Sequence, residues 1–153
     1  MKGFSTAYFS RKEDETVEVS KFNDEGYRDP VPHSAIANIE RRAWRPVVYV
    51  ASPYAGDTER NTENAIRYCR FAFESGAIPF APHLFLPRFM SEETERDEAT
   101  HMGLVFLTKC AELWVFGSKI TDGMAEEIRR AERRGMPIRY FTEDCVESKN
   151  GGI

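Results

Sequence analysis

The sequence predicts an α/β domain with a mainly parallel sheet, and three observations support this prediction. Two dense apolar runs, 47–51 and 112–116, are typical of strands that are buried on both faces of a parallel sheet. Segments with helical spacing of apolar residues lie between the predicted strands. Gly76 and Gly135 each follow such a segment and supply the usual C-terminal end of a helix.

The first half of the predicted domain contains two strands and a helix. Residues 47–51 form the first strand, and the turn 52–56 leads into a helix whose apolar residues recur at i, i+4, i+7 and i+8. These apolar residues are Ala65, Cys69, Ala72 and Phe73. Residues 77–81 predict a short second strand that ends at Pro82.

The second half contains two helices and two strands. Ser91 is expected to cap the next helix, with Glu92 and Glu93 in its first turn. The apolar face of this helix is Ala99, Met102, Gly103 and Phe106. Residues 112–116 predict the third strand, a last helix runs from about Asp122 to Arg134, and 137–141 form the final strand.

This alternation predicts a Rossmann-like (flavodoxin-like) doubly wound parallel sheet of four to five strands with helices on both faces. The α/β domain spans 45–145, and a C-terminal tail follows at 146–153. Residues 1–44 form an N-terminal extension. Its alternating runs around 4–9 and 17–22 could pair as a hairpin, although an extended arm or a partly disordered leader fits almost as well.

Composition restricts the class of protein. The formal net charge of −4 argues against binding to a nucleic acid polymer. No apolar run approaches the roughly 20 residues that span a membrane, and the first residues lack the apolar stretch of a secretory signal. We therefore expect a cytoplasmic protein that binds neither nucleic acid polymers nor membranes.

The cysteines and histidines predict neither disulfides nor a metal site. Cys69, Cys110 and Cys145 are widely spaced and odd in number, so they form no disulfide framework and no CxxC motif. Cys69 and Cys110 are expected to be small core residues in a reducing compartment. The three histidines show no HxH or HExxH pattern.

Ligands of doubly wound sheets bind beyond the carboxyl ends of the strands. The loops 52–56, 82–87 and 117–123 follow predicted strands and are therefore the candidate ligand-binding loops. The loop 52–56 precedes a helix N-terminus, which suits an anion, but its Ser and Pro are also ordinary turn residues. It is neither GxGxxG nor a Walker loop, so we expect no dinucleotide cofactor. The apolar loop 82–87 fits a pocket or an interface, and His83 within it either binds a ligand or is structural.

Glu127 stands out on the last helix. Met124, Ile128 and Ala131 recur at i, i+4 and i+7 and define the buried stripe, and Glu127 lies within that stripe. Its neighbour Glu126 instead shares a face with three arginines and reads as a surface carboxylate. A carboxylate that faces the sheet is costly unless it has a function or a partner, such as Arg96 or backbone N–H groups.

Residues 47–141 resemble the nucleoside 2-deoxyribosyltransferase-like superfamily, which includes nucleoside 5′-monophosphate N-glycosidases. The resemblance rests on Ser52-Pro53-Tyr54, on the run 110–117 and on Thr121-Asp122-Gly123-Met124-Ala125-Glu126-Glu127. The superfamily places a glycine four residues before its catalytic glutamate, which corresponds to Gly123 and Glu127 here. The resemblance implies that Glu127 attacks the sugar C1′ to form a glycosyl–enzyme intermediate, and the helix N-terminus is expected to keep Glu127 ionised.

The resemblance and the three loops together give the candidate site, with Glu127 as the catalytic residue and neither metal nor cofactor. The expected substrate-binding residues are Ser52, Pro53, Tyr54, Gly56, His83, Gly117, Ser118, Thr121, Asp122, Gly123 and Met124. The expected ligand is a nucleoside or nucleotide. Relatives often complete the site from a neighbouring subunit, so a homodimer or higher homo-oligomer is expected, with the loop Leu84-Phe85-Leu86 as a plausible contact.

The sequence departs from the superfamily pattern at two positions. Gly103 and Ala111 stand where relatives often carry aspartate, so the general acid stays open among Asp97, His101 and Asp122. Three functions follow as alternatives: cleavage or transfer at an N-glycosidic bond, a non-catalytic nucleotide-binding or sensing module, and an interaction protein that acts through the N-terminal extension.

Overall fold

The computed structural model describes residues 44–149, which form an α/β domain. The strands are β1 (Val47–Ala51), β2 (Ile78–Phe80), β3 (Glu112–Phe116), β4 (Ile138–Phe141) and β5 (Glu147–Ser148). The helices are α1 (Thr58–Glu74), α2 (Pro82–Phe85), α3 (Arg96–Leu107) and α4 (Asp122–Arg133), and a 3₁₀ turn covers Leu86–Arg88. The predicted hairpin or arm in residues 1–43 lies outside the described residues.

The described strands form one mostly parallel five-stranded sheet in the order β2-β1-β3-β4-β5. The pairs β1–β2, β1–β3 and β3–β4 are parallel, and β5 alone runs antiparallel to its neighbour β4. The register places Tyr49 of β1 opposite both Phe80 and Leu113. The carboxyl ends of the parallel strands therefore meet at one edge, as the sequence predicted.

The side chains of β1 alternate between two apolar clusters on opposite faces of the sheet. Val48 and Val50 belong to a cluster that includes Tyr68 of α1, together with Phe116. Tyr49 belongs to a second cluster that contains residues of α3 and α4. This arrangement explains why β1 and most of β3 are uniformly apolar, since helices cover both faces of these strands.

Two local predictions were wrong. Ser91 does not cap α3, because its backbone N–H donates to the Glu95 carboxylate (2.8 Å) and closes a separate turn before α3 begins at Arg96. The expected loop 82–87 is instead the short helix α2 followed by the 3₁₀ turn, with a proline in the first turn of each. Within the expected C-terminal tail, residues 147–148 form strand β5.

The expected contact segment Leu84-Phe85-Leu86 is exposed only in part. Leu86 is buried, and Leu84 packs against the first apolar cluster. Only Phe85 of these three residues is exposed. The helical backbone of this segment explains the difference, because consecutive residues of a helix point in different directions.

The three cysteines are free thiols and are partly buried. Cys69 and Cys110 each pack against one of the apolar clusters, and burial raises the pKa of both thiols to about 11. The helices within residues 44–149 are all too short or too polar to cross a membrane.

We expect Phe116→Ala to destabilise the domain by about 3–5 kcal/mol, because it leaves a cavity at a fully buried ring. That ring stacks on Tyr68 (4.4 Å between centroids) and Phe141 (4.8 Å). Ile66→Ala is the control, since Ile66 is 57% exposed and its truncation should change the free energy of unfolding by less than about 0.5 kcal/mol. Urea unfolding measures the free energy of unfolding of both variants. Equal destabilisation by the two substitutions would contradict the assignment of Phe116 to the core.

Candidate functional site

A cavity of about 270 Å³ lies at the carboxyl edge of the sheet. Its walls come from the segments that follow β1 and β2, from the inner face of α3 and from the first turns of α4. The strands are buried, so the position of this edge is fixed by the core. The segments that follow the strands lie outside the core and can carry polar side chains. The location is the one at which α/β sheets generally bind ligands.

A hydrogen bond between Tyr49 and Glu127 lies in the wall of the cavity. The Tyr49 hydroxyl donates to Glu127 Oε1 over 2.7 Å. Tyr49 sits on the interior strand β1 and is fully buried. Glu127 lies on α4, where its carboxyl group faces the cavity. The strand and the helix thus hold the carboxyl group from two sides.

Burial dominates the electrostatics of Glu127. It raises the pKa of this carboxyl group to about 7, although the Tyr49 hydrogen bond lowers it in part. A carboxyl group with this pKa is ionised only in part near neutral pH. Burial and the neighbouring carboxyl group also hold the Tyr49 pKa well above its ordinary value, so the phenol stays protonated and remains a donor.

Within residues 44–149, the hydrogen-bond partner of Glu127 is a phenol, and neither Arg96 nor the backbone takes this role. Arg96 lines the same cavity, but among the described residues no ion pair joins it to Glu127. Glu126 behaves as predicted, since its carboxylate bonds Arg129 and Arg133 at the surface. The two adjacent glutamates therefore have opposite environments.

Gly103 of α3 makes room for the Tyr49 hydroxyl. A Cβ atom at position 103 would lie 3.1 Å from Tyr49 Oη and 3.9 Å from Pro82 Cβ. Such an approach to the hydroxyl is tighter than ordinary contacts, so a side chain here would displace the phenol. The glycine is thus coupled to the hydrogen bond that holds Glu127.

Ser52 and His83 form a second polar pair in the cavity. Ser52 Oγ lies 3.1 Å from His83 Nε2, and the Tyr54 ring is 5.8 Å from the imidazole between centroids. Burial lowers the pKa of His83 to about 4, so the imidazole is neutral at pH 7. This pair can exchange neutral hydrogen bonds with a ligand but carries no charge.

The cavity brings together most of the residues that the sequence selected. Ser52, Tyr54, His83, Thr121, Asp122, Gly123, Met124 and Glu127 line it. Pro53, Gly56, Gly117 and Ser118 do not line it. Gly117 has a φ of +99° and forms the turn after β3, and the Ser118 hydroxyl lies 3.5 Å from the Glu143 carboxylate. Of the candidate acids, Asp122 lines the cavity, whereas Asp97 and His101 do not.

Sequence reasoning missed Tyr49 and the inner face of α3. Tyr49 was read only as part of an apolar strand, although a buried phenol usually needs a hydrogen-bond partner. On α3, the lining residues are Arg96, Ala99, Thr100, Gly103 and Leu104. Their recurrence at i, i+4 and i+7 was the available signal, but the wrong start of the helix obscured it.

The cavity offers three carboxyl groups, a neutral histidine–serine pair and one arginine. The carboxyl groups are those of Glu92, Asp122 and Glu127, and the arginine is Arg96. Within residues 44–149, no group of three or more His, Cys, Asp or Glu side chains could hold a metal ion.

Comparison with known proteins places the domain in a family. No curated protein matches the sequence. Residues 46–141 match the model of a family described as a domain of unknown function, DUF7768. The match begins just before β1 and ends with β4, so it includes Tyr49, Gly103 and Glu127 and covers more than half of the chain. The chain therefore belongs to the DUF7768 family.

Proposed function

We propose that this protein cleaves or transfers the N-glycosidic bond of a nucleoside or nucleoside 5′-monophosphate, with Glu127 as the nucleophile. The observation that carries the proposal is the Glu127 carboxyl group, held by Tyr49 in a cavity at the carboxyl edge. The resemblance of the motif 121–127 to the nucleoside 2-deoxyribosyltransferase-like superfamily supplies the reaction class.

A doubly wound, Rossmann-like sheet is part of this proposal. The order β2-β1-β3-β4 and the helices on both faces support it. In such a sheet the strand order reverses between β1 and β3, and ligands bind at that point. Ser52 follows β1, and Thr121 lies in the segment after β3; both line the cavity.

The proposed reaction follows the logic of retaining glycoside hydrolysis. Glu127 Oε1 accepts the Tyr49 hydrogen bond, which leaves Oε2 to attack the sugar C1′. The C1′–N bond breaks, and its electron pair leaves with the base. Water or a second base then attacks C1′ and releases the carboxylate.

The leaving base needs a proton or a hydrogen bond. Asp122 is the candidate acid that lines the cavity, and it is therefore the residue to which we assign this role. The neutral Ser52–His83 pair fits hydrogen bonding to the sugar or the base. We place the reaction in the cytoplasm, where free thiols such as those of the three cysteines persist.

A second candidate function is a non-catalytic nucleotide-binding module. Two observations favour it: the Glu127 pKa near 7 leaves a large fraction of the carboxyl group protonated at neutral pH, and Gly103 supplies no carboxylate. Both functions use the same cavity, and turnover distinguishes them.

Glu127→Gln should abolish base release, because the amide cannot act as the nucleophile. We expect a loss of at least about 10³-fold in kcat, with binding retained. Chromatography of free base from ribo- and deoxyribonucleosides and their 5′-monophosphates, with and without an acceptor base, is the measurement. Glu126→Gln is the matched control, because this neighbour pairs with surface arginines and should keep its activity. Binding without turnover in the wild-type protein would favour the sensing function.

Tyr49→Phe should shift the pH dependence of kcat/KM to higher pH. The nucleophile must be ionised, so activity rises as pH increases through the Glu127 pKa of about 7. The Tyr49 hydrogen bond lowers that pKa, and its removal raises the midpoint of the acid limb. An unchanged midpoint in the pH–rate profile would mean that Tyr49 does not act on Glu127.

Gly103→Ala should act through the same hydrogen bond, because the added Cβ displaces the Tyr49 hydroxyl. We expect reduced kcat/KM and an acid limb shifted in the same direction. In the Tyr49→Phe background, Gly103→Ala should lower kcat/KM little further, since no hydroxyl remains to be displaced. Additive losses in this double-mutant cycle would contradict the coupling.

A further inference from the structure

The guanidinium group of Arg96 lies at the cavity without a partner in the described part of the chain. Arg96 is the one arginine or lysine that lines the cavity among residues 44–149. Its side chain is exposed and forms neither a hydrogen bond nor an ion pair with another described residue. Carboxyl groups line the same cavity but do not neutralise it at contact distance. The guanidinium group is therefore available to a ligand.

Arg96 shares the inner face of α3 with Gly103. Ala99, Thr100 and Gly103 follow it at i+3, i+4 and i+7, and all of them line the cavity. Gly103 adjoins the hydrogen bond that holds Glu127. The rise of an α-helix separates Arg96 from Gly103 by about 10 Å along the axis. The guanidinium group thus lies at the far end of this stripe from the candidate nucleophile, with only small side chains between them.

This space suits a planar base. The inference rests on the proposed function, which places C1′ of a nucleoside at Glu127. The base then extends away from Glu127, and its far edge faces Arg96. Tyr54 and His83 add two aromatic rings to the lining of the same cavity. Such rings stack on the planar faces of bases.

The chemistry of a guanidinium group restricts the group that it binds. Arginine carries only N–H donors and no acceptor, so its partner must be an acceptor. A phosphate would place further negative charge beside the three carboxyl groups that line the cavity, whereas a base is neutral. A carbonyl oxygen on the base is therefore the acceptor that fits, while an amino group in its place would set donor against donor.

We propose that Arg96 determines the base specificity of the cavity by donating hydrogen bonds to the carbonyl oxygen of an oxo base. Hypoxanthine, guanine, uracil and thymine are bases of this class, and adenine is not. The corresponding contact in the DNA major groove is the bidentate bond from arginine to O6 and N7 of guanine. Arg96 is on this account a specificity-determining residue, separate from the nucleophile Glu127.

Two matched pairs of ligands test the assignment: inosine against adenosine, and uridine against cytidine. The members of each pair differ by the exchange of one oxo group for an amino group. Isothermal titration calorimetry on the full chain with Glu127→Gln gives Kd without turnover. For the pair that the cavity accepts, we expect the oxo member to bind more tightly by about tenfold or more.

Substitutions at Arg96 in the same background should change this ratio of Kd values. Arg96→Gln should abolish or reverse the preference, because a glutamine carbonyl accepts from an amino group, which a structural defect would not reproduce. Arg96→Lys should keep part of it, since an ammonium group also only donates. Arg88→Gln is the matched control: Arg88 is exposed, bonds the Leu84 carbonyl (3.2 Å) and does not line the cavity. Its substitution should leave the ratio unchanged.

Equal Kd values within both pairs, or a preference that survives Arg96→Gln, would overturn the assignment. Arg96→Gln that weakens inosine and adenosine 5′-monophosphates equally, without affecting the nucleosides, would also overturn it and would assign Arg96 to the phosphate. Base release by the wild-type protein is scored separately. Release without an oxo preference would overturn this inference and support the proposed reaction. An oxo preference in binding without release would support this inference and overturn the reaction.

Discussion

The hydrogen bond between Tyr49 and Glu127 connects the interior strand β1 to the helix that carries the candidate nucleophile. Its donor is fixed because Tyr49 lies in a strand buried on both faces. Its acceptor is fixed because Met124 and Ala131 anchor α4 in the same cluster. Gly103 completes the arrangement by leaving space for the phenol. The position and the ionisation of the carboxyl group both depend on this contact.

Two opposing effects act on Glu127, and their magnitudes decide its charge. A helix N-terminus stabilises an anion by about 0.3–1 kcal/mol at exposed positions, and less beyond the first turn. Removal of a carboxylate from water costs several kcal/mol unless hydrogen bonds compensate for it. The hydrogen bond from Tyr49 compensates for only part of this cost, so the pKa of Glu127 is about 7. A carboxyl group with such a pKa is sensitive to the ligand itself, because a bound cationic or polar group would shift its ionisation.

The sequence predicted the strands and the face of Glu127 well, because both follow from the spacing of apolar residues. Strands 47–51 and 112–116 have the predicted bounds, and α4 ends within one residue of its expected end. The start of α3 was wrong because Ser91 resembles a cap, while a hydrogen bond to Glu95 decides the backbone there. Tyr49 and Gly103 were missed as site residues because their roles depend on a contact between β1 and α3, and periodicity within one element does not encode such a contact.

The two faces of α3 and of the segment after β2 give these elements a double role. Leu86 and Pro87 line the cavity, whereas Phe85 and Phe89 are exposed outside it. On α3, Gly103 and Leu104 face inward while Val105 faces outward. Each of these elements therefore combines a side that shapes the cavity and confines the Tyr49 phenol with an exposed apolar side.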